Sequence, residues 1–239
     1  MTFKDFNFKE LLQKAIDEAG FKEPSPIQVE AIPHVLQGKD IVGQAHTGTG
    51  KTAAFGLPIL NKLGKKAGEA LVIVPTRELA MQVSDELYKF GKHLGINTAT
   101  VYGGQSYSRQ IKLLENSNVI VATPGRLLDL LRNEHIKIKP NFVVLDEADE
   151  MLDMGFLDDI KDIFTYLPES RQTLLFSATM PVAIKNLAKT ILKEPEFVTI
   201  TQANVTNTNI TQTFYVVDER ERDDALIRLF DYKNPKKSI

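Results

Sequence analysis

The chain has 239 residues, 43% of them hydrophobic and 25% charged, and it contains no cysteine. That composition matches an ordinary folded domain and excludes a disulfide-stapled scaffold, a zinc site built on thiolates, and a collagen-like or disordered chain. A net charge of -2 gives no general attraction to polyphosphate, so contact with nucleic acid has to come from a local site.

The N-terminus, Met-Thr-Phe-Lys-Asp-Phe, has neither the apolar core of a signal peptide nor the acid-poor bias of a transit peptide. No apolar run approaches the roughly 20 residues of a membrane span, so a cytoplasmic protein without membrane contact is expected. Runs rich in Val, Ile and Leu then recur at residues 40–45, 70–75, 98–102, 118–122, 142–145, 173–176 and 197–201. Stretches with apolar residues every three or four positions separate them, most clearly 78–94, 156–167 and 182–192. Strands that are apolar without alternation are buried on both faces, which predicts an α/β domain with a mainly parallel sheet and helices on both sides. Residues 202–211 are polar, rich in Asn and Thr, and read as a linker, so a domain boundary is placed after residue 201. A strand is predicted at 212–217 and an amphipathic helix at 219–230; such a βα unit cannot bury its own core, so residues 212–239 read as the incomplete start of a second domain.

Five of the runs end directly in a polar group: His46-Thr47-Gly48, Thr76-Arg77-Glu78, Thr123-Pro124-Gly125-Arg126, Asp146-Glu147 and Ser177-Ala178-Thr179. In an open parallel sheet all strand C-termini lie along one edge, where ligands bind, so these groups are expected on one surface. Solvent exposure alone explains why such loops are polar, but not why they carry these residues.

Residues 45–52, Ala-His-Thr-Gly-Thr-Gly-Lys-Thr, lie between a predicted strand and a predicted helix, the context a phosphate-binding loop needs. Gly48 and Gly50 let the backbone turn its N–H groups inward, with Thr47 and Thr49 between them, and the helix start adds partial positive charge. Lys51 supplies a cation for the β- and γ-phosphates of a nucleotide, and the Thr52 hydroxyl can reach Mg²⁺. Asp146 ends a neighbouring strand and suits a Mg²⁺ held through water; Glu147 suits the orientation or deprotonation of an attacking water. Taken alone, this acidic group also fits a helix start, where Asp and Glu are favoured. His34, His93 and His135 have no metal-ligand spacing.

The motifs taken in order resemble the DEAD-box ATP-dependent RNA helicases, specifically their first RecA-like domain. Residues 20–28, Gly-Phe-Lys-Glu-Pro-Ser-Pro-Ile-Gln, look like the family's Q motif, with Phe3 as its upstream aromatic. Residues 45–52 resemble motif I, where His46 departs from the common Gln. Residues 75–80 match Pro-Thr-Arg-Glu-Leu-Ala, Gly103-Gly104 the paired glycines, 123–126 Thr-Pro-Gly-Arg, 146–149 Asp-Glu-Ala-Asp, and 177–179 Ser-Ala-Thr. The resemblance implies a RecA-like P-loop NTPase fold, ATP and Mg²⁺ as cofactors, and RNA as partner.

It also implies roles. Gln28 and Phe21 would recognise adenine, by amide hydrogen bonds and by stacking; without the family they read as a helix residue and a core aromatic. Thr76, Arg77, Gly103, Gly104, Thr123, Gly125 and Arg126 would hold an RNA backbone without reading bases. Singly, each is as well explained as a helix cap or a surface cation. Ser177 and Thr179 would bond Asp149 and couple the nucleotide edge to the RNA edge, or simply cap a helix. Catalysis would rest on Lys51, Asp146, Glu147, Ser177 and Thr179, with the arginines for the transition state coming from a second RecA-like domain of the full-length chain. Arg220, Arg222 and Arg228 lie past the linker, so this chain alone is expected to be nearly inactive. A DNA-directed P-loop motor and a nucleotide-gated scaffold without turnover are the competing readings.

Overall fold

Seven strands form among the described residues of the computed structural model, which are 1–64, 68–200 and 213–235. They are β1 (Ile41–Gln44), β2 (Ala70–Ile73), β3 (Thr98–Val101), β4 (Val119–Ala122), β5 (Phe142–Leu145), β6 (Gln172–Ser177) and β7 (Glu196–Thr199). All pair in parallel, in the order β3-β4-β2-β5-β6-β1-β7. The helices are α1 (Glu10–Glu18), α2 (Pro26–Leu36), α3 (Lys51–Lys62), α4 (Arg77–Gly91), α5 (Tyr107–Leu114), α6 (Pro124–Arg132), α7 (Ala148–Asp153), α8 (Leu157–Thr165), α9 (Val182–Ile191) and α10 (Arg222–Lys233). None of them is long and apolar enough to cross a membrane.

Alternation along each strand divides the core in two. Ile41, Val72, Val121, Val144 and Leu174 face one side with α1 to α4, where Phe55, Leu87 and Phe90 are buried. Val42, Leu71, Ile120, Val143 and Leu175 face the other, against Leu127, Ile160, Ile184 and Ile191 of the later helices. Burial of both faces is why these strands lack a polar alternation.

The sheet order positions the site. β1, β6 and β5 are neighbours, and so are β2, β4 and β3, with β5 paired to β2 at the seam. Because every strand is parallel, the phosphate loop, Asp146 and Ser177 leave one half of the C-terminal edge, while Thr76, Gly103 and Thr123 leave the other.

The chain divides into two compact units, Met1–Thr201 and Gln202–Ile239. The expected linker at 202–211 lies outside the described residues. The strand expected at 212–217 is corrected where it can be seen: residues 213–218 form no strand, because no neighbouring strand among the described residues offers a ladder for their backbone groups. The helix expected at 219–230 is a 3₁₀ turn, Glu219–Glu221, running into α10; Asp218 caps it, accepting a hydrogen bond from the Arg220 N–H at 3.1 Å.

Candidate functional site

β1 feeds a loop whose Gly48 and Gly50 take φ of 81° and 89°, the left-handed region that glycine tolerates. Gly50 has a second constraint. A Cβ there would sit 2.3 Å from the amide nitrogen of Gln28, which donates to the Gly50 carbonyl at 3.0 Å. The Gln28 oxygen accepts from the Ser25 N–H at 2.9 Å, a capping box at the start of α2, and the Ser25 hydroxyl donates to the Thr49 carbonyl at 2.7 Å. The segment expected to read adenine is thus tied directly to the phosphate loop. His46, Thr47 and Gly48 are exposed, and the Thr49 hydroxyl closes the turn on the His46 carbonyl at 2.7 Å.

α3 begins at Lys51, so its first N–H groups have no intrahelical acceptor and face the loop's interior. Lys51 is buried. Its ammonium donates to the Ala45 carbonyl at 3.1 Å and lies 2.9 Å from the Glu147 carboxylate, whose other oxygen accepts from the Thr47 hydroxyl at 3.1 Å. The cation expected to bind phosphate is therefore paired with the residue expected to handle water. Glu147 is itself held in the left-handed region at φ 54°, the kind of backbone strain that collects at functional sites.

Asp146, beside it, is 3% exposed, and burial pushes its carboxyl up to about 7; Lys51 opposes that rise and the neighbouring Glu147 adds to it. Burial also raises Glu86 of α4, an effect opposed by a hydrogen bond with the Thr52 hydroxyl and by the charge of Lys89. Sequence reading missed Glu86; its signal was a carboxylate flanking the buried stripe Ala80, Val83, Leu87 and Phe90.

Asp149 lies in the first turn of α7, which follows β5, and reaches the residues that follow β6. Burial alone would raise its carboxyl, but the Ser177 and Thr179 hydroxyls and the Thr179 and Ala178 N–H groups hold it below the ordinary value. Its carboxylate accepts from the Thr179 hydroxyl and N–H, both at 2.8 Å, and its own N–H donates to the Ser177 hydroxyl at 3.1 Å.

On the other half of the edge, Thr76 caps α4 by accepting from the Leu79 N–H at 3.2 Å, and Arg77 is exposed. Gly103 and Gly104 form the turn from β3 to α5, where a Cβ at Gly103 would meet no atom within 4 Å. Thr123 and Pro124 start α6, and Gly125 is exposed. Arg126 differs: it is half-buried and bonded to the chain itself. Phe21 packs edge-on against Phe3 and Phe90, with ring centroids 5.9 and 5.4 Å away, and borders a cleft of about 530 Å³ that Gln82, Glu86 and Lys89 also line.

Among the described residues no group of three or more His, Cys, Asp or Glu could hold a metal. Asp146 at the end of β5 and Thr52 in the first turn of α3 are oxygen donors of the kind that Mg²⁺ takes beside phosphate and water.

Three comparisons bear on the chain. The family model described as DEAD/DEAH box helicase matches residues 25–187. The DEAD-box ATP-dependent RNA helicase RhpA of Helicobacter pylori (strain B128) is 59% identical over 241 residues, covering all of this chain and 49% of the relative. CshA of Bacillus subtilis (strain 168), also described as a DEAD-box ATP-dependent RNA helicase, is 50% identical over 243 residues, again covering all of this chain and 49% of its own length. The chain spans about half the length of these curated relatives. The crystal structure of a DEAD box protein from Methanococcus jannaschii superposes with a TM-score of 0.81 at 41% identity, over 96% of this chain and 63% of that one.

Proposed function

The chain belongs to the DEAD/DEAH box helicase family, and from that premise we propose that it binds ATP with Mg²⁺ on one half of its sheet edge and an RNA backbone on the other. In full length it would be an ATP-dependent RNA helicase that separates or remodels short duplexes. The observation that carries this reading is the strand order, which groups β1, β6 and β5 apart from β2, β4 and β3 yet joins the groups through β5.

When bound, ATP with Mg²⁺ supplies the γ-phosphoryl group and the divalent charge. Lys51 and the first N–H groups of α3 would bind the phosphates, while Thr52 and Asp146 would hold the cation. Lys51 then exchanges its carboxylate partner for phosphate oxygens, which frees Glu147 to orient water and take its proton. Gln28 has one N–H and one lone pair beyond those it uses within the chain, enough for the adenine edge, and Phe21 would stack on the base. Thr76, Arg77, Gly103, Gly104, Thr123 and Gly125 hold RNA phosphates without reading bases. Asp149, Ser177 and Thr179 couple the two halves. A second RecA-like domain supplies the transition-state arginines, an effect on the order of 10³–10⁵ in rate.

The test is ATP turnover by this chain with polyuridine RNA or with the matching DNA, alone and with the remaining half of the full-length protein added. We expect very slow turnover alone and RNA-selective stimulation once the second half is present. Loss of ATP binding in Lys51→Ala, by calorimetry, locates the phosphate site. Full RNA-stimulated turnover by the chain alone contradicts the two-domain account, and equal competition by GTP contradicts adenine recognition.

A further inference from the structure

Arg77 and Arg126 stand on the same edge, but the chain holds them differently. Arg77 is exposed, with its guanidinium 5.3 Å from the centre of the Tyr102 ring. Arg126 is drawn inward. One of its terminal nitrogens donates to the Gln105 carbonyl at 2.8 Å and to the Gln110 side-chain oxygen at 3.0 Å, and its guanidinium lies 4.4 Å from the Tyr107 ring centre.

Gln110 is wholly buried, and its amide nitrogen donates to the Tyr102 carbonyl at 2.8 Å. Tyr102 immediately precedes Gly103, and its hydroxyl accepts from the Gln105 amide at 2.6 Å. The Tyr107 hydroxyl donates to Asp129, which lies on α6 as Arg126 does. Side chains thus link the groups at the ends of β2, β3 and β4 through Tyr102 and Gln110, neither of which belongs to a recognised motif.

We infer that Gln110 and Arg126 are positioning residues, which fix the Gly103–Gly104 turn and the first turn of α5 against α6, while Arg77 supplies the charge that meets a phosphate. This rests on the reading of that edge as an RNA site. The argument is one of satisfaction. If Arg126 turned outward it would leave the Gln110 oxygen as a buried acceptor without its donor, and that loss opposes the gain of a solvated phosphate contact. A buried amide bonded at both ends instead makes a rigid node. Arg77 gives up only a ring contact when it reaches outward.

The experiment measures affinity for a short labelled polyuridine strand across a salt series, with ATP affinity and amide hydrogen exchange as companions. For single-stranded nucleic acid, each neutralised phosphate contributes about 0.7 to the slope of log affinity against log salt. Arg77→Ala should reduce the slope by about that amount. Arg126→Ala should lower affinity roughly tenfold, the scale of one lost ordering interaction, and leave the slope unchanged. Arg126→Lys should not rescue it, because an ammonium lacks the planar fork. Gln110→Leu, which removes no charge, should behave like Arg126→Ala. In both, exchange at residues 103–107 should quicken without RNA, and ATP affinity should stay at its wild-type value.

A slope reduced by about 0.7 in Arg126→Ala, with affinity retained in Arg126→Lys, would overturn the assignment; so would unchanged exchange. Exchange that responds in a protein that binds no RNA at any salt removes the RNA reading instead, and leaves the positioning role of Gln110 and Arg126 standing. If Gln110→Leu does not fold, half-exposed Arg126 carries the test by itself.

Discussion

The ammonium of Lys51 sits 2.9 Å from the carboxylate of Glu147, and both side chains are almost entirely out of water. Removing one partner of a buried pair strands the other, at a cost of about 3 kcal/mol. Glu147→Gln should therefore unfold at lower temperature than wild type. Phosphate oxygens would give Lys51 a new partner, so ATP with Mg²⁺ should raise the melting temperature of Glu147→Gln by more than it raises that of wild type. Thermal unfolding with and without nucleotide reads both effects; equal shifts would mean that the pair is not exchanged on binding.

Asp146 should make the nucleotide-free fold less stable as pH rises. Its folded value, about 7, lies above the ordinary 3.8, so the folded chain holds the proton more tightly than the unfolded chain does. The stabilisation is complete below about pH 4 and is lost as pH passes through about 7. Asp146→Asn should flatten that part of the profile and be the more stable chain at about pH 8. Urea midpoints across that window measure it, and a slope that persists in the variant assigns it to another group.

Gly50→Ala should fail in two ways. Its backbone is at φ 89°, and the added carbon would lie 2.3 Å from the Gln28 amide. A strained left-handed residue costs on the order of 1–3 kcal/mol, and displaced Gln28 would release the start of α2 from the loop. Loss of stability together with weakened ATP binding is the expected result. Gly48→Ala, at φ 81° but with no atom within 4 Å of the new carbon, should cost only the backbone part.

Thr179→Ala removes one of the hydrogen bonds that keep the Asp149 carboxylate ionised. Buried bonds to charged groups contribute about 1.5–3 kcal/mol each, and the exposure of Thr179 places this one below that range. Because Asp149 is held below its ordinary value, its contribution is present above the unfolded carboxylate range and fades as pH falls through the folded value. The variant should lose stability at neutral pH and much less in acid. In the full-length protein it should impair strand separation more than ATP turnover, which parallel assays resolve.

What the sequence disclosed was mostly local. β5 reads directly from Phe-Val-Val-Leu, and the loop around Gly50 from its glycines and Lys51, because strand burial and phosphate loops both follow from a few adjacent residues. The contacts that give the site its character span the fold. Lys51 with Glu147 and Thr47 with Glu147 depend on which strands become neighbours, which periodicity does not encode; Asp149 with Thr179 was expected only through the family resemblance. Gln28 was half legible: Ser25-Pro26-Ile27-Gln28 has the spacing of a capping box, yet nothing local points from it to Gly50. Gln110 was hidden, since a polar residue in a helical stretch reads as solvent-facing until its helix is placed.

The order of the strands also sets an order of assembly. β3 and β4 find all their partners among residues 70–122, and β2 finds one of its two there and the other in β5, whereas β1 pairs with β6 and β7, so that Ile41 lies opposite Leu174 and Glu196. Such distant pairings close slowly, because a long loop must be ordered before the contacts repay it. On a ribosome the half proposed to meet RNA can therefore form while the loop of residues 45–52, synthesised earlier, still waits for its neighbours. A nascent chain released before Ser177 should hold the Gly103–Gly104 turn and have no grip on ATP.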